Sequence, residues 1–236
     1  MKNILVTGCS KGIGYQIVKD LVQTSNVNIL ATSRDIRGLK KLKQECLQLN
    51  HLSQVHILSL DLNDSQSVLS IVEFVKLNFN NSLDILIHNA AFLANKKFVD
   101  FSENDVAYSF RINTFVPFIL TQKLIPLFNE NSHVLFISSI GGIQGSQKFP
   151  GLSLYSTTKS TLITLTECLS EEYKNSSITF NCLALGAVQT EMLSQAFPDY
   201  KASVSANEMG CYIANFALNG SKLFKGKIIP ISLTNP

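Results

Sequence analysis

The strongest constraint on the fold of this chain is a repeating alternation of short apolar runs with longer amphipathic stretches. Apolar runs of strand length occur at residues 3–7, 27–32, 55–60, 83–88, 133–138 and 177–184, and a shorter one at 225–231. Between them, apolar residues recur at helical spacing. Ile17, Val18, Leu21 and Val22 do so after the first run, and Val68, Ile71, Val72 and Val75 after the third. Residues 35–50 form a charged amphipathic pattern, and two further helical stretches run to about residues 110 and 128. Strands separated by helices build a parallel sheet, because each parallel step needs a crossover and the crossover helices cover both faces. The pattern predicts an α/β fold, a doubly wound parallel sheet of about seven strands. With 236 residues and no internal repeat, linker or low-complexity segment, one domain over residues 1–236 is expected.

Charge and cysteine usage narrow the function classes. The formal net charge is +3 with lysine and arginine scattered, so no nucleic-acid or membrane-surface stripe is present and neither partner is expected. No apolar run is long enough for a membrane span, and residues 4–6 are too short for a signal-peptide core. Cys9, Cys46, Cys168, Cys182 and Cys211 are odd in number and widely spaced, which suits reduced thiols in a cytoplasm better than disulfides or zinc. His51, His56, His88 and His133 sit in or beside strand patterns without ligand spacing, so no metal site is expected.

Two stretches carry chemistry. The first is the turn Gly8-Cys-Ser-Lys-Gly-Ile-Gly14 between a strand and a helix. Its glycines let backbone N–H groups approach a phosphate, and the helix N-terminus favours an anion. The spacing is G-x-x-x-G-x-G. The second stretch runs from Ser139 to Lys159 and reads as a strand end, a loop and a helix start. Tyr155 and Lys159 are four apart, on one helix face. An adjacent ammonium favours phenolate, so the expectation is a tyrosine tuned below its free value of about 10 and usable as a general acid or base. Ser139 would bring a hydroxyl to a substrate oxygen.

Taken together, Thr7-Gly8-x-x-x-Gly12-Ile13-Gly14, Asn89-Ala90-Ala91, Asn113, Ser139 and Tyr155-x-x-x-Lys159 resemble the motif series of the single-domain short-chain dehydrogenases/reductases, over nearly the whole chain. The resemblance implies a Rossmann-type seven-stranded sheet binding NAD(H) or NADP(H). It implies that Gly8, Ser10, Lys11, Gly12, Ile13 and Gly14 form the phosphate turn. Asp61 and Leu62 resemble the pair beside the adenine ring, and Asn89 the residue steadying the central strand and the nicotinamide ribose region. Tyr155 looks like the catalytic acid/base and Lys159 like the ribose-holding residue that lowers the tyrosine pKa. Ser139 resembles the residue orienting the carbonyl, with Ser138 its rival. Asn113 resembles the residue that kinks its helix and holds a relay water. Gly186, Val188 and Thr190 fit the loop that meets the nicotinamide amide. That loop departs from the family in Leu185, where proline is usual, which puts its rigidity in question. Sixteen positions separate Ser139 from Tyr155, somewhat more than is usual, so extra residues should bulge over the substrate side.

Cofactor choice turns on the end of the second strand, Ser33-Arg34-Asp35. Arg34 is placed for a 2′-phosphate, with Lys11 as a second cation. Asp35, which would favour a ribose hydroxyl, suits a helix cap instead. The expectation is NADP(H) rather than NAD(H), in a carbonyl reductase or alcohol dehydrogenase. The rival readings are a catalytically silent NADP(H)-sensing binding protein and a nucleotide-sugar epimerase or dehydratase. The epimerase would want a larger domain than the 46 residues after Thr190. Residues 186–205 are the least regular and read as a substrate lid. Phe92, Phe149, Met192 and Phe197 are candidates for an apolar pocket wall. Steroid, acyl thioester, sugar and aldehyde substrates stay open. Finally, residues 113–128 and 155–173 are apolar on more than one helix face, predicting a homodimer or homotetramer with 227–231 as a possible second contact.

Overall fold

The computed structural model describes residues 1–233. In chain order the strands are β1 Lys2–Thr7, β2 Val27–Ser33, β3 Gln54–Ser59, β4 Leu83–His88, β5 Phe128–Ser139, β6 Thr179–Leu185, β7 Val188–Gln189, β8 Val204–Ser205 and β9 Ile228–Ile231. Seven of them form one parallel sheet in the order β3-β2-β1-β4-β5-β6-β9, while β7 and β8 pair separately. This is the Rossmann-type arrangement expected from the sequence.

The central stretches of the strands are mostly apolar because the sheet is covered on both faces. Successive side chains on a strand point to opposite faces. Along β1, Ile4 and Val6 join one core cluster and Leu5 the other. Along β5, Leu135 and Ile137 face one way, Val134 and Phe136 the other. The first cluster is closed by α1 Gly12–Thr24, α2 Ile36–Leu49 and α8 Ala206–Asn219. The second is closed by α3 Ser65–Asn78, α5 Val116–Leu124 and α6 Ser153–Glu172, with α4 Glu103–Phe110 beside them. Several helices start where a side chain takes a free first-turn N–H. Asp35 accepts from Arg37, Asp64 accepts from Gln66, and Ser102 and Ser205 form capping boxes with Asp105 and Glu208.

Two elements differ from the sequence reading. β5 begins at Phe128, five residues before the apolar run. Its polar start is held by side chains instead of by burial periodicity: Asn129 donates to Asp84 at 2.9 Å and Ser132 to the Leu83 carbonyl at 3.0 Å. Residues 186–205 are more ordered than expected. They contain β7, the short helix α7 Glu191–Ala196 and β8.

The sheet order reverses direction between β1 and β4. Crossovers leave that point on opposite faces, which opens a crevice at the carboxyl ends of the strands. Gly8, Arg34, Asp61, Asn89, Ser139 and Gly186 each follow or end one of these strands. The fold therefore collects residues far apart in sequence along one edge.

Candidate active site

A cleft of about 780 Å³ runs along that edge and is lined by every cofactor-site and catalytic residue expected from the sequence except Asn113, which is fully buried behind it. At one end is the glycine turn. Gly8 has φ +77° and Gly12 φ +60°, left-handed values that disfavour any other residue. A Cβ on Gly14 would stand 2.2 Å from the Gly8 carbonyl oxygen and 2.4 Å from Asn89 Nδ2, so only glycine lets α1 pack this closely. A Cβ on Gly12 would stand in ordinary contact, 3.6 Å from Glu191 Oε2 and Thr190 Cγ2, so the start of α7 lies over the turn. α1 begins with Lys11 as N-cap and receives no side-chain cap. Its first-turn N–H groups thus point at the cleft without an internal acceptor, an arrangement that fits a phosphate. The residues present fit a dinucleotide's pyrophosphate on this ground.

Asn89 ties the floor together. Its Nδ2 donates to the carbonyls of Thr7 at 2.9 Å and Gly8 at 3.1 Å, while Thr7 Oγ1 accepts from Ala90 N–H at 3.0 Å. At the outer end, Ser33 donates to Ser10 at 2.8 Å, and Arg34 Nη1 donates to the hydroxyl of Tyr108 at 2.8 Å. Asp35 caps α2 as anticipated. Asp61 is exposed and Leu62 buried, both on the cleft wall.

The two serines are distinguished by strand alternation. Ser138 continues the Val134–Phe136 side of β5, against α6, and donates to the Lys159 carbonyl at 2.8 Å. It is buried and committed. Ser139 turns to the cleft, accepts from Gly141 N–H at 3.2 Å, and its own O–H has no acceptor among the described residues. Tyr155 and Lys159 share one face of α6, with Lys159 Nζ 5.8 Å from the Tyr155 ring centre. Lys159 is buried, and its Nζ donates to the Ile137 carbonyl at 2.7 Å. Burial lowers the ammonium to about 8.

The expected lowering of Tyr155 is not what the chain alone produces. Burial pushes its phenol up to about 12, because desolvation disfavours the phenolate. At neutral pH the phenol keeps its proton, the form that donates to a developing alkoxide.

Asn113 lies in a π-helical turn, Arg111–Phe115, between α4 and α5. Such turns insert a residue into the helix and are among the causes of helix kinks. Both hydrogens of the Asn113 side-chain amide are engaged. Oδ1 accepts from Phe92 N–H at 2.8 Å, and Nδ2 donates to the Phe92 carbonyl at 2.8 Å and Thr158 Oγ1 at 2.9 Å. Asn113 clamps the β4–α4 loop to α6 from behind.

Leu185 ends β6 in register between Ser139 and Ile231, and Gly186 N–H donates to the Ile231 carbonyl at 2.8 Å. The sheet itself directs the chain here. Val188 is buried in β7, and Thr190 caps α7 by accepting from Leu193 N–H at 3.2 Å. The four apolar-wall candidates Phe92, Phe149, Met192 and Phe197 all line the cleft. Sequence reasoning missed Tyr108, Asn95 and Glu191. Tyr108 packs edge-on against Phe92 with ring centres 4.8 Å apart. Its only sequence signal was an aromatic in a polar helix, which does not specify a partner 74 positions away.

A family model described as short chain dehydrogenase matches residues 2–201. The chain belongs to that family and is an oxidoreductase of it. Among curated proteins it is 28% identical over 191 residues to an NADP-dependent 3-hydroxy acid dehydrogenase of Schizosaccharomyces pombe, covering 80% of this chain and 73% of that one. It is 30% identical over 196 residues to a 3-ketodihydrosphingosine reductase of Dictyostelium discoideum, covering 76% of this chain and 58% of that one. Among solved structures, a short chain dehydrogenase from Burkholderia cenocepacia in complex with NADP superposes with a TM-score of 0.87 at 22% identity, over 98% of this chain and 96% of that chain. Among the described residues, no helix is long and apolar enough to cross a membrane.

Proposed function

We propose that this chain is an NADP(H)-dependent carbonyl reductase or alcohol dehydrogenase. The observation that carries this reading is one cleft with a phosphate-competent turn at one end and Ser139, Tyr155 and Lys159 converging further along it. The cofactor, when bound, supplies or accepts the hydride. Tyr155 gives the carbonyl oxygen its proton, and Ser139 donates a hydrogen bond to that oxygen. Lys159 holds the ribose side of the site and keeps a positive charge beside the phenol. Asn113 acts from behind, by fixing Phe92 and Thr158. Residues 186–205 form the lid over the single domain. The test is carbonyl-dependent oxidation of NADPH by the purified protein across a panel of aldehydes and ketones. No turnover with any of them would sink the reading.

For the cofactor, Lys11 and Arg34 are the two cations at the outer end of the cleft. An NADP-dependent relative and an NADP-bound structural neighbour support the same preference. Tyr108 holds the Arg34 guanidinium toward the cleft and leaves donors for a 2′-phosphate. Arg34→Ala is expected to weaken NADPH binding by about 1.5–3 kcal/mol and to leave NADH binding nearly unchanged. Equal affinities for the two cofactors in the unmutated protein would overturn the preference.

The same reading includes a homodimer or homotetramer. Phe115 and Phe118 remain 54% and 47% exposed on the helical segment before β5, while Ile163, Leu165 and Leu169 of α6 are only partly covered. Pairing across a twofold axis would bury this face and stiffen the helix carrying Tyr155 and Lys159. Sedimentation at micromolar concentration should show a species of at least twice 26.1 kDa. A sole monomer would refute it.

A further inference from the structure

The charged groups that line the cleft lie toward its glycine-turn end, except Lys159, which stands further along beside Tyr155. Five charged side chains line it among the described residues: Lys11, Arg34, Asp61, Lys159 and Glu191. The first three belong to the turns after β1, β2 and β3. Lys159 is buried against the Ile137 carbonyl. Glu191 starts α7, and its Oε2 lies 3.6 Å from where a Gly12 Cβ would stand. Beyond Ser139 and Tyr155 the lining changes character. It comes from three segments, after β4, between β5 and α6, and on or after α7: Leu93, Phe149, Met192 and Phe197 are among its apolar members, and its polar members Gln147, Gln195 and Tyr200 carry no charge.

These segments are tied into one roof. α7 spans the cleft, with Glu191 beside the glycine turn at one end. At the other end Asn95 Nδ2 donates to the Ala196 carbonyl at 2.7 Å. Lys96 N–H donates to the Gly151 carbonyl at 3.2 Å, joining the β4–α4 loop to the loop before α6. The nearest cations are turned elsewhere. Lys96 pairs with Asp105 at 2.7 Å, and Lys148 donates to the Ile143 carbonyl and Ser146 Oγ within its own loop. Lys97 and Lys201 are exposed and do not line the cleft.

We infer that the substrate is a neutral carbonyl or secondary alcohol carrying an alkyl or other apolar body, and not a carboxylate-bearing one. The inference rests on the carbonyl reading above and deepens it. An apolar chain gains from every methylene taken out of water. A carboxylate carried beyond the reacting carbon would lose its hydration where only neutral side chains, and no cation, replace it.

The test uses secondary alkanols of increasing length and the β-hydroxy carboxylates of matching length. Each is titrated calorimetrically into the protein and then assayed with NADP+. Alkanol affinity should rise about threefold per methylene over several steps. Each alkanol should bind at least about tenfold more tightly than its carboxylate counterpart. Met192→Lys, a change on the half-buried roof helix, should raise carboxylate binding at least about tenfold and weaken alkanol binding. Affinity that is flat with length, or carboxylates that bind as well as alkanols, overturns the inference. Preferential binding of alkanols without any oxidation leaves the substrate class standing and removes the carbonyl–alcohol reading. Efficient oxidation of the carboxylates instead keeps that reading and removes the substrate class.

Discussion

Replacing Tyr155 by phenylalanine is expected to lower carbonyl-dependent NADPH oxidation by at least about a hundredfold, within the 10²–10⁴ range of general acid catalysis. Cofactor affinity should be nearly unchanged. The reasoning starts from what the hydroxyl touches. Among the described residues it bonds to none, so its removal orphans no partner. The ring remains half-buried against the cleft, keeping its packing on α6. Only the proton is lost, and burial holds that phenol at about 12, so it is present throughout the neutral range. Lys159→Met is expected to behave differently. Its Nζ is buried on the Ile137 carbonyl, so both cofactor binding and rate should fall. Steady-state kinetics with direct titration of NADPH separates the two cases. A Tyr155→Phe protein keeping most of its kcat would show that another group supplies the proton.

Acid should destabilise the fold well before the carboxylates titrate, through two core histidines. His88, at the end of β4, is buried, stacks on Phe136 at 5.0 Å and hydrogen-bonds Thr121 Oγ1 at 2.8 Å. Burial, with the Lys159 ammonium second, lowers it to about 3. His133 is buried on β5, with Nδ1 on the Ala217 carbonyl at 3.0 Å and Nε2 meeting Asn181 at 3.0 Å. Burial lowers it to about 4, partly opposed by that carbonyl. Both folded values lie below the unfolded value of about 6.5. Below pH 6.5 the unfolded chain therefore binds protons that the native state refuses, and stability falls with falling pH. Each histidine contributes its stabilisation in full above pH 6.5 and loses it as pH falls toward 4 for His133 and 3 for His88. The limiting slope for two such groups is on the order of 2–3 kcal/mol per pH unit. Against a total of about 5–15 kcal/mol, this is enough to unfold the protein near pH 4–5. Urea titrations at several pH values read the slope directly. A stability flat between pH 6.5 and 5 would contradict it, and His133→Gln should remove about half of it.

The link between these histidines and the site is geometric. His88 is one residue before Asn89, whose amide holds the Thr7 and Gly8 carbonyls. Thr121, its partner, is on α5, just after the π turn that seats Asn113. Protonation in the core would strain the segments that carry the cleft floor. Local loss of activity at acid pH would therefore accompany the global transition.

Much of the architecture followed from residue order alone. An apolar run of strand length is short of a helix and long enough for a sheet, so the alternation admitted few folds. The glycine turn, Tyr155 and Lys159 were legible because their chemistry depends on local spacing: a turn that admits no side chain, and two residues one helical turn apart. Asp35 was assigned to a cap for the same reason. What spacing could not give was anything set by surroundings. Whether Ser138 or Ser139 faces the cleft depends on which face of β5 meets α6, and the structure turns Ser138 into the Lys159 carbonyl. The ionisation of Tyr155 depends on how much water its ring keeps, so a pattern that promised a lowered pKa yielded a raised one. Asn113 was found as a position, but its clamp on Phe92 and Thr158 needed loops that close only in three dimensions. The same holds for Tyr108 and Arg34, 74 positions apart, and for Asn95 and Ala196, 101 apart. By itself, then, the sequence determined the sheet, the crevice and the positions of the glycine turn, Tyr155 and Lys159 along it, because these rest on local periodicity and local geometry. The tertiary structure alone decided which hydroxyl is free, which charges are desolvated and what roofs the substrate end, because desolvation and long-range hydrogen bonds exist only once the chain is packed.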